Sequence, residues 1–234
     1  MGILSAMPIP RETLDAIRQF DTCTIANTIE RFGVRLRNEG YTRPGLHCVT
    51  GGTRRVIGYA ATSRVRTSDP PVTGGAYLDR TDWWSMVQEL PAPRIAVIQD
   101  IDHHPAEASI AGQIHAAILK SFDCHAIVTN GAVRDLEAVA AMDFALFAHE
   151  VSVSHAYAHL IDYGGCVEIF GLEVRAGDLL MADCHGVISI PLDIAPELPR
   201  AAAEIRARER RIIDVCQSPD FTPGKLIEAI QDSH

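Results

Sequence analysis

No stretch of this chain is apolar for the roughly 18–20 residues that a membrane-spanning helix needs, so no such span is expected. No two of its six cysteines (Cys23, Cys48, Cys124, Cys166, Cys184 and Cys216) form a Cys-x-x-Cys pair. In a chain of this length that argues against a disulfide framework and for reduced, partly buried thiols. No Lys/Arg-rich run with interleaved aromatics is present, and the formal net charge is −9. That balance excludes non-specific binding to nucleic acid, whose phosphates need a basic face, and it excludes a polybasic membrane anchor. The N-terminal segment has no basic stretch followed by a long apolar one, so no signal peptide is expected and the expected location is the cytoplasm. Internal repeats and low-complexity segments are also missing.

What is present is an ordinary globular composition, with 47% hydrophobic and 22% charged residues in 234. A chain of that size buries roughly 70% of its unfolded surface, so it needs neither disulfide nor metal to fold. One domain over residues 1–234 is expected, with a C-terminal helical extension from about residue 197.

The hydrophobic pattern predicts a first helix from near Pro10, carrying Leu14, Ile17 and Phe20 at helical spacing. A second follows at once, with N-cap oxygens from Asp21, Thr22 and Thr24, an apolar face of Ile25, Ile29 and Phe32, and Gly33 as its stop. Residues 38–52 read as loop and 55–66 as strand, with Gly58 a bulge or a close approach. A loop through Gly74-Gly75 leads to a helix over about residues 79–90, closed by Pro91 and Pro93. The centre alternates. Buried strands at residues 95–98, 126–129 and 145–148 are separated by helices over about 112–122 and from 136, which implies a parallel layer with right-handed crossovers. Short runs at 151–159, 160–163, 166–170, 179–182 and 187–190 read as antiparallel β-structure between glycine turns. A long amphipathic helix over about 197–216, with Glu204 and Arg208 paired on its wet face, precedes a linker and a last short helix.

The strongest local signal is Thr129-Asn130-Gly131-Ala132-Val133-Arg134-Asp135. A buried strand ends in a glycine turn and delivers an arginine and an aspartate together, where α/β proteins collect ligands. The arginine is a planar fork suited to a carboxylate or oxo-acid, and the aspartate is a hard oxygen ligand for Mg²⁺ or Mn²⁺. From position alone the pair reads either as a binding site or as a structural ion pair capping the next helix. The second signal is Ala111-Gly112-Gln113-Ile114-His115, where a glycine opens a helix after a polar loop. Backbone N–H groups of Gln113, Ile114 and His115 at that N-terminus are suited to an anion. The two signals lie on adjacent strand–helix crossovers and so open on one edge of the sheet.

These motifs resemble the metal-dependent pyruvate aldolases that act on 4-hydroxy-4-methyl-2-oxoglutarate and 4-carboxy-4-hydroxy-2-oxoadipate, and their relatives the regulators of ribonuclease activity A. That family carries a glycine about twenty residues before an Arg-Asp pair, and here 21 residues separate Gly112 from Arg134. Asp21-Thr22-Cys23-Thr24-Ile25-Ala26-Asn27, Val56-Ile57-Gly58-Tyr59-Ala60-Ala61-Thr62, Ala176-Gly177-Asp178-Leu179 and Asp183-Cys184-His185-Gly186-Val187 resemble its other segments, so the likeness spans nearly the whole chain. It implies an α/β fold, a swivelling β/β/α layered sandwich with a central mixed sheet, in homotrimers or homohexamers. It implies a lyase that cleaves a pyruvoyl-containing oxo-diacid by retro-aldol reaction or decarboxylates oxaloacetate. Amides at Gln113, Ile114 and His115 and the Arg134 guanidinium would bind the substrate, Asp135 would hold Mg²⁺ or Mn²⁺, and Arg134 and the ion would stabilise the enolate. The ribonuclease regulators supply the alternative, a non-catalytic protein-binding ring.

Two positions depart from the aldolases. Ala138 stands where they carry an acid three residues after the aspartate, and Glu137 is one step early, a rotation of about 100° on a helix. Gln113 stands where an acid often follows the glycine, and an amide cannot act as a general base. Of the ten histidines, His103 and His104 lie in the polar loop before Gly112 as candidates to cover the site. His155, His159 and His185 read as structural. Ser154-His155-Ala156 is similar to the phosphohistidine segment of swivelling phosphotransfer domains but lacks its glycine pair and arginine.

Overall fold

The structure is a computed structural model that describes residues 7–52, 54–72 and 81–231. The expected turn at Gly74-Gly75, the start of the following helix near Asp79 and the first six residues of the N-terminal segment lie outside the described residues.

The elements run α1 (Arg11–Ile17), α2 (Thr22–Glu30), β1 (His47–Cys48), β2 (Val56–Arg66), α3 (Thr81–Glu89), β3 (Arg94–Asp100), β4 (Ser109–Ala111) and α4 (Gln113–Ser121). Then come β5 (Cys124–Thr129), β6 (Ala132–Val133), α5 (Leu136–Ala141), β7 (Ala145–Ala148), β8 (Glu150–Val151), β9 (His159–Tyr163), β10 (Val167–Ile169) and β11 (Leu172–Val174). The chain closes with β12 (Leu179–Asp183), β13 (Gly186–Ile190), α6 (Leu198–Gln217) and α7 (Pro223–Gln231).

The main sheet has the order β1-β7-β5-β3-β2-β12-β13. β7, β5, β3 and β2 are mutually parallel, as the alternation of strands and helices requires. β2 is the pivot: one edge pairs with β3 from Tyr59 to Val65, while the other is shared by β12 against its first half and β9 against its second. A register shift at Arg64/Val65 bends β2 where it takes up β9, and Arg64 and Asp162 pair across that junction. The sheet is therefore mixed and nearly closed.

Strand pleat divides the core. In β3, Ile95 and Val97 face one cluster, with Val167, Ile169, Leu172 and Val174 of the β10–β11 hairpin. Their neighbours Ala96 and Ile98 face another, with Trp83, Ala116, Leu119 and Val139 of helices α3, α4 and α5. A third cluster joins Ile57, Tyr59, Leu179 and Met181 to Leu14 and Ile17 of α1, Ile25 and Ile29 of α2 and Leu198 and Ala202 of α6. Hairpin, sheet and helices make the β/β/α layering expected from the sequence. No helix among the described residues is long and apolar enough to cross a membrane.

Several local expectations are corrected. Residues 152–158 are not strand: β8 stops at Val151 and β9 starts at His159. The alternating Val-Ser-Val-Ser pattern has no buried face there, since Val153 is 93% exposed and Ala156 turns the chain with φ 42°. Thr22 does not cap α2. Asp21 does, accepting the Thr24 N–H at 2.7 Å, while the Thr22 hydroxyl donates to buried Asp183 at 2.7 Å. Glu204 pairs with Arg200 at 3.0 Å and Arg31 at 3.3 Å, not with Arg208, because the turn before it and α2 both bring it an arginine. Three small strands, β4, β6 and β8, form a parallel sheet of their own that the sequence pattern does not reveal.

Gly58 marks a close approach, not a bulge. A Cβ there would lie 2.8 Å from the Pro93 carbonyl oxygen and 2.9 Å from the Arg94 carbonyl carbon, both main-chain atoms held by the β2–β3 pairing. Gly58→Ala should therefore lower the unfolding free energy by about 1–3 kcal/mol, the usual cost of overpacking. Urea unfolding checks this, and an unchanged midpoint would contradict the packing described.

Candidate functional site

The small parallel sheet builds the site. β4 follows β3, β6 follows β5 and β8 follows β7, so each short strand continues the outlet of a main-sheet strand. Ala111 pairs with Val133 and the Arg134 N–H donates to the Ala111 carbonyl at 3.0 Å. The next residues of the two chains, Gly112 and Gln113 on one side and Arg134 and Asp135 on the other, are thereby laid side by side. The expectation that both signals open on one sheet edge is met through this register.

The contact between them is intimate. The Gln113 N–H, first in α4, donates to Asp135 Oδ2 at 2.9 Å. A Cβ on Gly112 would lie 2.4 Å from that same oxygen and 3.0 Å from Arg134 Cγ. Only glycine leaves room for the pair. Asp135 itself is left-handed, with φ 59° and ψ 36°, a conformation that aspartate tolerates better than most residues but that still stores strain. Its side chain does not cap its own helix α5. It caps α4 instead, as an anion against a helix N-terminus. The Arg134 Nε–Asp135 Oδ2 distance is 3.8 Å, too long for a hydrogen bond, so a tight structural ion pair does not explain the motif. The Arg134 guanidinium reaches the Val153 carbonyl at 3.3 Å, beyond the end of β8.

These groups line a cleft of about 280 Å³, together with Ser109, Ile114, His115 and His155. Its walls are otherwise small and apolar, including Ile110, Ala111 and Ala158. Gly112, Gln113, Ile114, His115, Arg134 and Asp135, the residues of the two sequence signals, are all in that lining. The anion site read from three free amides narrows, because Asp135 already takes the first. Both contacts of Asp135 fall on Oδ2, and among the described residues its Oδ1 makes no hydrogen bond or ion pair.

The structure adds His155, for which a strand over residues 151–159 predicts only a structural role. Its place in the lining comes from the turn that replaces that strand, so no periodicity signals it. His115 is partly buried, and burial first, then the charges of Arg134 and His155, lower its pKa to about 4. It stands as a neutral imidazole beside the arginine at neutral pH. His103 and His104 are exposed, with ring centroids 4.5 Å apart, and neither lines the cleft. Glu137 is exposed and also outside the lining, so Asp135 is the sole carboxylate there among the described residues.

Comparison with known proteins bears on the family and the fold. A family model described as RraA-like, Aldolase/RraA, matches residues 22–189. An uncharacterized protein of Methanocaldococcus jannaschii is 25% identical over 134 residues, which cover 56% of this chain and 64% of that protein. A putative 4-hydroxy-4-methyl-2-oxoglutarate aldolase of Halalkalibacterium halodurans is 28% identical over 111 residues, 45% of this chain and 53% of that protein. The chain thus matches between 53% and 64% of the length of these curated relatives. Among solved structures, an uncharacterized protein of Pseudomonas syringae pv. tomato is similar with a TM-score of 0.73 at 22% identity, covering 98% of this chain and 99% of that one. Streptomyces coelicolor RraAS2, described as an unusual member of the RNase ES inhibitor RraA protein family, is similar with a TM-score of 0.68 at 20% identity, covering 88% and 97%. These two likenesses bear on the fold.

The histidine in the cleft gives a stability signature. His115 holds a folded pKa of about 4 against an ordinary value of 6.5. The unfolded chain therefore takes up the proton first. The stability tied to the neutral ring is present above about pH 6.5 and is lost as pH falls toward 4. Allowing for screening by water at the cleft mouth, about 1–2 kcal/mol should be lost across that window. His115→Gln should flatten that limb in denaturant titrations run at several pH values. Parallel pH profiles for the parent and the variant would contradict the assignment.

Proposed function

We propose a function for a chain that belongs to the RraA-like family of aldolases and RraA proteins: it is a divalent-metal-dependent lyase acting on oxo-diacids that contain a pyruvoyl group. The observation that carries this reading is the meeting of Asp135, Arg134 and the α4 N-terminus on one small cleft, made possible by the missing side chain at Gly112.

The residues fit Mg²⁺ or Mn²⁺. Mg²⁺ is commonly held by one or two carboxylates while keeping several waters, and Asp135 offers one carboxylate whose orientation is fixed by the Gln113 N–H. When bound, such an ion supplies Lewis-acid stabilisation of the charge that develops on the 2-oxo group. The chain's own groups do the rest. Amides of the first turn of α4 receive the substrate carboxylate. The Arg134 fork, held from behind by the Val153 carbonyl, donates to the carboxylate or to the developing enolate oxygen. The small apolar wall of Ile110, Ala111 and Ala158 backs both interactions on one side.

Within that class, decarboxylation of oxaloacetate fits the cleft better than retro-aldol cleavage. Retro-aldol cleavage begins with removal of a hydroxyl proton and needs a base. Gln113 and Ala138 stand where an acid would serve, Glu137 is outside, and the depressed pKa of His115 makes it a poor proton acceptor. Decarboxylation needs no such base: the carbon–carbon bond to the carboxylate breaks, CO₂ leaves and the enolate then takes a proton from water. The second reading is a non-catalytic protein-binding ring, favoured by the same lack of a second carboxylate in the cleft among the described residues.

We further read residues 1–234 as one domain with a helical extension from about residue 197, assembled as a homotrimer or homohexamer. The first half of α6 is packed on the core through Leu198, Ala201, Ala202 and Ile205, whereas α7 buries nothing and leaves Ile227 and Ile230 exposed. Light scattering should give a mass that is a multiple of the 25.5 kDa chain, and a monomer at micromolar concentration would exclude the assembly.

Calorimetric titration with Mg²⁺, run beside a coupled assay of pyruvate release from oxaloacetate and from a hydroxy-oxo-diacid, tests the site. Asp135→Ala should abolish Mg²⁺ binding and activity together. Arg134→Lys should leave the ion bound but cost about 3–4 kcal/mol of transition-state stabilisation, because a point charge cannot replace the fork. Mg²⁺ bound as tightly by Asp135→Ala as by the parent would overturn the site, and no pyruvate from either substrate would move the non-catalytic reading ahead.

A further inference from the structure

The tight turn between β12 and β13 carries Asp183-Cys184-His185 in sequence, and none of the three lines the Arg134 cleft. One oxygen of Asp183, the sulfur of Cys184 and one ring nitrogen of His185 all lie within 4.8 Å of one another. His185 Nδ1 is 3.0 Å from Asp183 Oδ1 and 3.6 Å from Cys184 Sγ. Tetrahedral zinc, with bonds of about 2.0–2.3 Å, holds nitrogen, oxygen and sulfur ligands about 3.3–3.6 Å apart. The turn thus presents an imidazole and a thiol 3.6 Å apart, the spacing such an ion imposes, with a carboxylate oxygen within 4.8 Å of both.

The spacing is held by the fold. Asp183 is 2% exposed; its Oδ2 accepts the Thr22 N–H at 2.8 Å, and its Oδ1, the oxygen nearest the imidazole, accepts the Thr22 hydroxyl at 2.7 Å and the His185 N–H at 2.9 Å. A ligating carboxylate tied down by such second hydrogen bonds is the usual setting of a metal site. Pairing of Asp183 with Gly186 fixes the turn at its base. Cys184 and His185 are exposed, so an ion has access, and His185 borders a cleft of about 250 Å³ lined also by Thr22 and Cys23.

We propose that Asp183, Cys184 and His185 form a second metal site that binds a borderline-soft divalent cation, Zn²⁺ in the first instance, with three protein ligands and an open fourth position toward the Thr22–Cys23 cleft. Binding takes the Cys184 thiol as thiolate and releases its proton, and the imidazole binds neutral through Nδ1 with its hydrogen on Nε2. The site is chemically distinct from the Asp135 position, which offers oxygen alone and suits Mg²⁺.

The test is titration of the full chain with Zn²⁺ by calorimetry in two buffers of different ionisation heat, and with Co²⁺ as a spectroscopic probe of thiolate ligation. The expected result is one thiolate-ligated ion per chain, about one proton released, and no competition from excess Mg²⁺. Cys184→Ser and His185→Ala, both exposed and free of core packing, should each weaken binding at least tenfold and abolish the thiolate band. Asp135→Ala should leave both unchanged. Absence of Zn²⁺ binding, or binding and thiolate band retained in Cys184→Ser or His185→Ala, would overturn the proposal.

Discussion

Two backbone crossovers meet at a single carboxylate. Asp135 reaches from the end of β6 to the first amide of α4, and the site depends on that contact because it locks together elements that approach from different strands. A charge-assisted hydrogen bond of this kind contributes about 1.5–3 kcal/mol. The left-handed backbone at Asp135 costs a comparable amount, on the order of 1–3 kcal/mol. The two nearly offset, so the arrangement adds little to net stability. It is possible because the β4–β6 pairing lays Asp135 beside the start of α4 and Gly112 supplies the space.

The same constraint explains how packing becomes chemistry. β3 and β5 are buried on both faces and feed separate core clusters through alternate residues, so their ends cannot drift. α4 is pinned to that platform by Ala116 and Leu119. Its first turn, which carries no such anchor, is left to face the cleft with Gln113 and Ile114 exposed. Rigid strands deliver Arg134 and Asp135, a short turn at residues 152–158 supplies the Val153 carbonyl and His155, and the cleft closes around them. A neutral His115 leaves the Arg134 charge beside it without a second cation from that ring.

Much of this was legible in the sequence because the responsible signals are local. The apolar runs at residues 95–98, 126–129 and 145–148 are strands because they are buried on both faces, and the glycine turn after the second of them delivers Arg134 and Asp135 to the cleft. The small sheet was not legible. Strands of two or three residues have no periodicity, and β4, β6 and β8 exist only because the longer strands upstream bring them together. The Val-Ser-Val-Ser segment misled for the opposite reason: its alternation is real, but no surface lies opposite it to bury Val153. The bond from Asp135 to Gln113 spans 22 residues, and its existence follows from tertiary register, so the sequence pointed to both residues without showing that one occupies the amide of the other.

A crystal structure of the protein soaked with Mg²⁺ and pyruvate tests the central claim most directly. The account predicts a hexacoordinate ion with Asp135 as its protein carboxylate, and a pyruvate carboxylate lying between the Arg134 guanidinium and the first turn of α4. An ion bound away from Asp135, or pyruvate found outside the cleft while both residues keep the geometry described, would contradict it.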